Sequence, residues 1–228
     1  MFFYDNYYLM LVFPAILISL IAQMKITSTY KKYSAVMSKK AKTATEITRM
    51  ILDMNGLQNV KIQAVSGSLS DHYDPRGNVI RLSDSVRSDV SVASIGVAAH
   101  EAGHAGQYAK GYLPIKIRNT ILPIANIGSK LSVPLILLGI ILSFEPLVTV
   151  GILAFSAVLL FQLVTLPVEF NASKRALATL SENNILQDEE LTGAKKVLSA
   201  AAMTYVASAL VAMANFLRLV LISKNRRR

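Results

Sequence analysis

The chain has 228 residues, of which 53% are hydrophobic and 17% charged, with a formal net charge of +10. Soluble chains carry about 25% charged residues, so a freely soluble globular protein is excluded, and a chain this apolar does not stay disordered. The cysteine count is 0, which removes disulfides, thiolate metal sites and a cysteine nucleophile.

The position of the positive charge narrows its meaning. Lys25, Lys31, Lys32, Lys39, Lys40 and Lys42 follow directly on one apolar run, and Arg226, Arg227 and Arg228 follow another. Bases at the ends of apolar runs are the pattern of the positive-inside rule. Aromatic residues do not interleave with these bases in the way a nucleic-acid stacking platform needs, so a lipid bilayer is the expected partner and nucleic acid is not.

In chain order, residues 7–24 read as a first span, with Tyr4, Tyr7 and Tyr8 as an interfacial aromatic belt. Asp5 stands where a signal peptide would carry bases, so residues 1–24 read as an uncleaved anchor. A soluble segment follows over residues 25–120. Residues 43–55 carry Ile47, Met50, Ile51 and Met54 at helical spacing, and Asn55-Gly56 provides a stop. Residues 60–65 and 78–82 read as strands forming a hairpin-like pair. Residues 90–110 read as a helix ended by Gly111. Two further apolar stretches, 121–144 and 146–168, form a hairpin of spans (121–168) that turns around Glu145-Pro146. Residues 169–196 read as a helix from Glu169 to about Leu180 and then a turn at Asn183-Asn184. The last stretch, 197–228, is apolar and alanine-rich, holds Arg218, and either crosses the membrane or packs against the other helices. The expected fold is a mainly α membrane protein with three to four transmembrane helices and a small α+β domain.

The sharpest chemical feature is His100-Glu101-Ala102-Gly103-His104, an H-E-x-x-H run inside a predicted helix. Residues four apart share one helical face, so His100 and His104 can direct both imidazoles at one zinc ion. Glu101 would stand beside the metal as general base and later pass the proton to a leaving amine. Zinc lowers the pKa of its bound water to about 7. Gly103 and Gly106 each cost about 1 kcal/mol against alanine in a helix, which suggests close packing or ligand access. A catalytic zinc needs a third protein ligand and an open position. Glu169 is the first choice, because a hairpin of spans returns it to the membrane face where the His100 helix ends. Its carboxylate could instead simply favour a helix N-terminus. His72, in Ser70-Asp71-His72-Tyr73-Asp74-Pro75, either acts in the site, binding substrate or stabilising an oxyanion beside the zinc, or belongs to a polar turn.

Four segments together carry a family resemblance: Ser66-Gly67-Ser68-Leu69-Ser70-Asp71-His72-Tyr73-Asp74-Pro75; Leu82-Ser83; Ala99-His100-Glu101-Ala102-Gly103-His104-Ala105; and Pro167-Val168-Glu169-Phe170-Asn171-Ala172-Ser173. The chain resembles, over nearly its whole length, the YugP-type family of neutral zinc metallopeptidases. It is more distantly similar to the HtpX-type and CAAX-prenyl membrane proteases of the gluzincin class. The resemblance implies a zinc-dependent membrane peptidase with one zinc per chain, held by His100, His104 and Glu169, with Glu101 as general base. It also implies that a polypeptide substrate, drawn from membrane or membrane-proximal proteins, lies along Ser70, Asp71, Tyr73 and Asp74. The wider class has an aspartate four residues after the third ligand. Here that position is Ser173, so the aspartate's hold on a ligand histidine falls to Ser173 or Asp71.

A catalytically idle zinc-containing membrane scaffold is the competing reading, disfavoured because structural zinc usually has four protein ligands. Intramembrane cleavage is rejected, since Arg81, Asp84, Arg87 and Asp89 before the motif and Lys110, Lys116 and Arg118 after it would be costly in lipid. The lysines after the first span put the active site on the cytoplasmic side of a prokaryotic cell membrane. Residues 224–228 pull the other way.

Overall fold

A computed structural model describes residues 5–226; Tyr4, Arg227 and Arg228 lie outside the described residues. The chain divides into two compact units. One comprises Met24–Tyr112 with Val168–Ala202, and the other the segment up to Gln23, Leu113–Pro167 and the segment from Met203 onward.

In the first unit, helix α2 (Ala44–Met54) starts at a capping box. The Thr43 hydroxyl accepts from the Glu46 amide, and the Glu46 carboxylate accepts from the Thr43 amide at 2.7 Å, satisfying two otherwise orphaned donors. Its Ile47, Ile51 and Leu52 face the core. Three strands follow, β1 (Lys61–Val65), β2 (His72–Asp74) and β3 (Val79–Ser83), in the order β1-β3-β2. The expected pair of strands does form, but as parallel neighbours, with Ile62 opposite Ile80. The hairpin partner of β3 is β2, antiparallel to it, with Tyr73 opposite Ile80. A parallel pair needs a crossover rather than a tight turn, and the polar stretch containing β2 supplies it. The β2–β3 turn is set by Asp74, whose Oδ1 accepts from the Arg76 amide at 3.0 Å, and by Asn78 at φ +47°.

A short helix α3 (Asp84–Arg87) leads to helix α4 (Val92–Ala109). Asp89 braces the start of α4 by accepting from the Ser91 and Ser94 hydroxyls, both at 2.6 Å. Gly111, at φ +63°, turns the chain out of it. The core joins Ile80, Leu82, Val86, Ile95, Ala98 and Ala102 to Ala176, Leu180 and Leu198 from the later helices.

The other unit is helical. A π-helical turn (Tyr8–Val12) continues into α1 (Phe13–Ser34), followed by α5 (Leu113–Ile141), α6 (Glu145–Glu182) and α7 (Asp188–Arg226). All four helices, the first taken from Tyr8, are long and apolar enough to cross a membrane. Each extends beyond its apolar stretch, because polar residues such as Lys116, Arg118 and Lys130 are compatible with helix and only the apolar window is legible as a span. The α5–α6 turn pivots on Ser143 at φ +52°. Helix α6 runs on through Pro167, so no new helix starts at Glu169. Its carboxylate is therefore mid-helix, and the helix-N-terminus reading falls. Near the chain ends, Arg218 of α7 pairs with Asp5 at 2.7 Å and lies 5.4 Å from the Tyr8 ring centre. Asn225 donates to the Tyr7 hydroxyl at 2.9 Å.

Candidate metal centre

Helix α4 places His100 and His104 one turn apart, with ring centres 4.7 Å apart and planes at 87°. Glu169 reaches them from α6. Its Oε2 lies 3.2 Å from His100 Nε2 and 3.6 Å from His104 Nε2. One donor atom from each of the three residues lies within 4.8 Å of the others. Close approach of the two helices permits this convergence. A Cβ on Gly103 would stand 2.7 Å from the Ala172 carbonyl oxygen, so only glycine fits there, three residues from Glu169 on the facing helix. Gly106 has nothing within 4 Å of the same construction; its absence of side chain is not a packing requirement.

The far nitrogens of both rings are engaged. His100 Nδ1 meets the Ser173 hydroxyl at 3.2 Å. His104 Nδ1 meets Gln107 Oε1 at 3.0 Å. Both Nε2 atoms are thereby turned toward the Glu169 carboxylate. Burial alone would push the His104 imidazolium pKa down, but its hydrogen bond to Glu169 and the charges of Glu101 and Glu169 outweigh this, and the net shift is upward. A positive charge is thus favoured at this point whether it comes from protons or from a metal cation. Two imidazole nitrogens and a carboxylate oxygen are standard zinc donors, and three of them leave one position of a tetrahedron free. The residues present fit zinc.

Glu101, 7% exposed, follows His100 on the same helix. His72 is exposed on β2, its Nδ1–H donating to the Ser70 carbonyl at 2.8 Å and its Nε2 lying 3.4 Å from Arg81 Nη1. Arg81 is anchored in turn on Asp74 at 2.9 Å. Ser70 donates to the Ser66 carbonyl at 3.1 Å. Tyr73 packs edge-on against Tyr108 of α4, with ring centres 5.4 Å apart. Asp71 accepts from the Ser83 amide at 2.8 Å and the Ser83 hydroxyl at 2.9 Å. Of the two candidates for the missing aspartate's contact, Ser173 touches His100 and Asp71 is spent on closing the loop.

The sequence reading did not single out Gln107, Asn171 or Arg175. Gln107 is fully buried, and its amide nitrogen donates to the Val168 carbonyl at 2.8 Å and to Asn171 Oδ1 at 3.0 Å. Arg175 Nε donates to the same Asn171 oxygen at 2.8 Å. The available signal was spacing, since Gln107 lies one turn after His104, and Asn171 and Arg175 are four apart on the Glu169 helix.

A family model described as "Putative neutral zinc metallopeptidase" matches residues 8–224. The chain belongs to this family. It is also 44% identical, over 220 residues, to a Bacillus subtilis (strain 168) protein named "Putative membrane protease YugP", covering 96% of this chain and 98% of that one. No solved structure matches the chain. In this zinc metallopeptidase family member, then, the His-His-Glu cluster is where the family's metal finds suitable donors.

Proposed function

We propose that the chain is a membrane-embedded zinc endopeptidase of the gluzincin kind, binding one zinc ion per chain through His100, His104 and Glu169. The observation that carries this reading is the orientation of the two rings: both Nδ1 atoms are hydrogen-bonded away from the cluster, so both Nε2 atoms face one buried carboxylate. Zinc at this site would supply Lewis acidity and a water acidic enough to attack a peptide bond near neutral pH. Glu101 takes the proton of the attacking water and delivers it to the amine of the departing half of the substrate. Its low solvent exposure sharpens its electrostatics.

The substrate is a polypeptide, and strand β2 suits its recognition. As an edge of the sheet, with β3 on one side only, β2 can add a further extended strand through backbone hydrogen bonds and so tolerate varied side chains. Ser70, Asp71, Tyr73 and Asp74 shape that edge. His72 donates to the oxyanion of the scissile carbonyl from Nε2. With Nδ1–H committed to Ser70, this requires the ring to carry both protons and to exchange its Arg81 contact for the substrate oxygen. The expected outcome of His72→Ala is a fall of about 10²-fold in kcat, as for other lost oxyanion donors, with zinc content unchanged. Unchanged turnover would remove His72 from the mechanism.

The active site faces the cytoplasm of a prokaryotic cell, as the lysines between Lys25 and Lys42 favour. The Asp5–Arg218 pair joins the start of the first apolar helix to the end of α7, so both chain ends then lie outside, and the bases of residues 224–228 are the exception to the rule. Cysteines introduced singly at the exposed positions Ala35 and Asn225 test this in a chain with 0 cysteines of its own: an impermeant thiol reagent applied to intact cells should label the second and spare the first. Metal analysis tests the site. The double variant His100→Ala, His104→Ala, and separately Glu169→Ala, should lose stoichiometric zinc, and full occupancy in the double variant would refute the metal assignment.

A further inference from the structure

The anchoring of His104 has a directionality that the anchoring of His100 lacks. A hydroxyl such as that of Ser173 can donate or accept, so its contact with His100 Nδ1 is compatible with either tautomer. The amide of Gln107 is different, because its two ends are chemically fixed by what they meet. The Val168 carbonyl only accepts hydrogen bonds, and it lies 2.8 Å from the Gln107 nitrogen. Asn171 presents a second acceptor at 3.0 Å. That Asn171 atom must be its oxygen, since Arg175, which has only donors, contacts it at 2.8 Å. With both amide hydrogens of Gln107 committed, Oε1 is left facing His104 Nδ1 at 3.0 Å. An oxygen there requires a proton on Nδ1.

From this geometry we infer that Gln107 is a positioning residue, oriented by Val168 and by the Arg175–Asn171 pair, which locks His104 into the Nδ1-protonated tautomer and so presents the Nε2 lone pair to the metal. The inference rests on the zinc reading above and deepens it. A neutral His104 in the opposite tautomer would carry a hydrogen at Nε2 and offer no lone pair there. Gln107 is completely buried with no solvent to stand in for a lost partner, so its amide cannot turn over without stranding donors against the Val168 carbonyl and the Asn171 oxygen.

The test uses the full chain in detergent, labelled with 15N-histidine and loaded with zinc; the chain has 3 histidines, so ring signals can be assigned by single substitution. The wild type should show His104 protonated at Nδ1, with that proton exchanging slowly, and zinc bound through Nε2. Gln107→Met keeps the length of the side chain but offers no oxygen. It should weaken zinc binding, measured by chelator competition, by about 10- to 100-fold, the usual effect of removing a ligand's outer partner. Gln107→Glu keeps an acceptor at Nδ1 and should retain tighter zinc binding than Gln107→Met. Coordination through Nδ1 in the wild type would overturn the proposal even if Gln107→Met fails to fold. So would wild-type zinc affinity in a folded Gln107→Met. A wild-type chain that takes up no zinc at all would instead overturn the metal reading on which the proposal stands.

Discussion

In the unit that holds the His-His-Glu cluster Ile47, Ile80, Leu82, Ile95 and Leu180 are completely buried, whereas in the apolar unit Met10, Ile127, Ile141 and Leu153 face outward and most of the helix surface is exposed. The contacts inside the apolar unit run through small residues. A Cβ on Gly151 would press on Ile136 and stand 2.9 Å from the Ser132 carbonyl oxygen, and one on Gly128 would collide with the Ala154 carbonyl. The first unit is organised by removing apolar side chains from water. In the second that drive is absent once lipid surrounds the helices, and close backbone approach together with a few polar contacts takes over. The same small-residue device appears once at the metal centre, at Gly103, where two helices must come close enough for a carboxylate to meet two imidazoles.

Breaking the polar contact of the apolar unit should have the largest effect on stability. Asp5→Ala leaves Arg218, 6% exposed, without this carboxylate; because the Asp5 side chain is itself 23% exposed, the loss lies at the lower end of the about 3–5 kcal/mol that breaking a buried ion pair costs. The double replacement Asp5→Leu, Arg218→Met should recover most of that loss in thermal unfolding in detergent. Equal destabilisation by the single and double variants would show that the pair is not what joins these segments. Next in size is Gly103→Val. Forcing extra atoms into a filled contact costs about 1–3 kcal/mol, and here zinc affinity should fall with stability because the overpacked contact adjoins the Glu169 helix. Gly106→Ala sharpens the contrast. With nothing within 4 Å of the added carbon, it should leave zinc binding alone and stabilise the helix by up to about 1 kcal/mol.

The smallest expected effect concerns pH. Burial pushes the Asp89 carboxyl pKa up, but the hydrogen bonds from Ser91 and Ser94 outweigh it, and the net shift is below the usual 3.8. A carboxyl depressed in the folded state contributes stability that is full above its unfolded value and is lost as pH falls through the folded one. Acid unfolding of Asp89→Asn should therefore be less steep than that of the wild type below about pH 4, with a lower plateau at neutral pH. Parallel curves would show that Asp89 contributes nothing at the start of α4.

Much of this arrangement was legible in the residues. The heptad-like spacing of Ile47, Ile51 and Met54, the length of the apolar runs and the four-residue spacing of His100 and His104 are local signals, and the corresponding elements formed. Glu169 was accessible by a longer inference, from the return of a helical hairpin to its starting face. Three features were not legible, each for its own reason. Strand β2 has only three residues, His72–Asp74, none giving an apolar alternation, so its pairing rests on β3 rather than on its own composition. Pro167 normally ends a helix, yet α6 runs through it. The hydrogen-bond chain from Arg175 to His104 joins two distant segments, and no spacing rule along one of them reveals it.

The account's central claim is that Glu101 does chemistry at a metal held by other residues. The most direct test is to purify wild type and Glu101→Gln side by side, measure zinc per chain, and follow cleavage of an unstructured protein substrate in proteoliposomes. The account predicts one zinc per chain in both, with hydrolysis in the wild type and none above background in Glu101→Gln. Equal hydrolysis by the two proteins, each with its zinc in place, would contradict it.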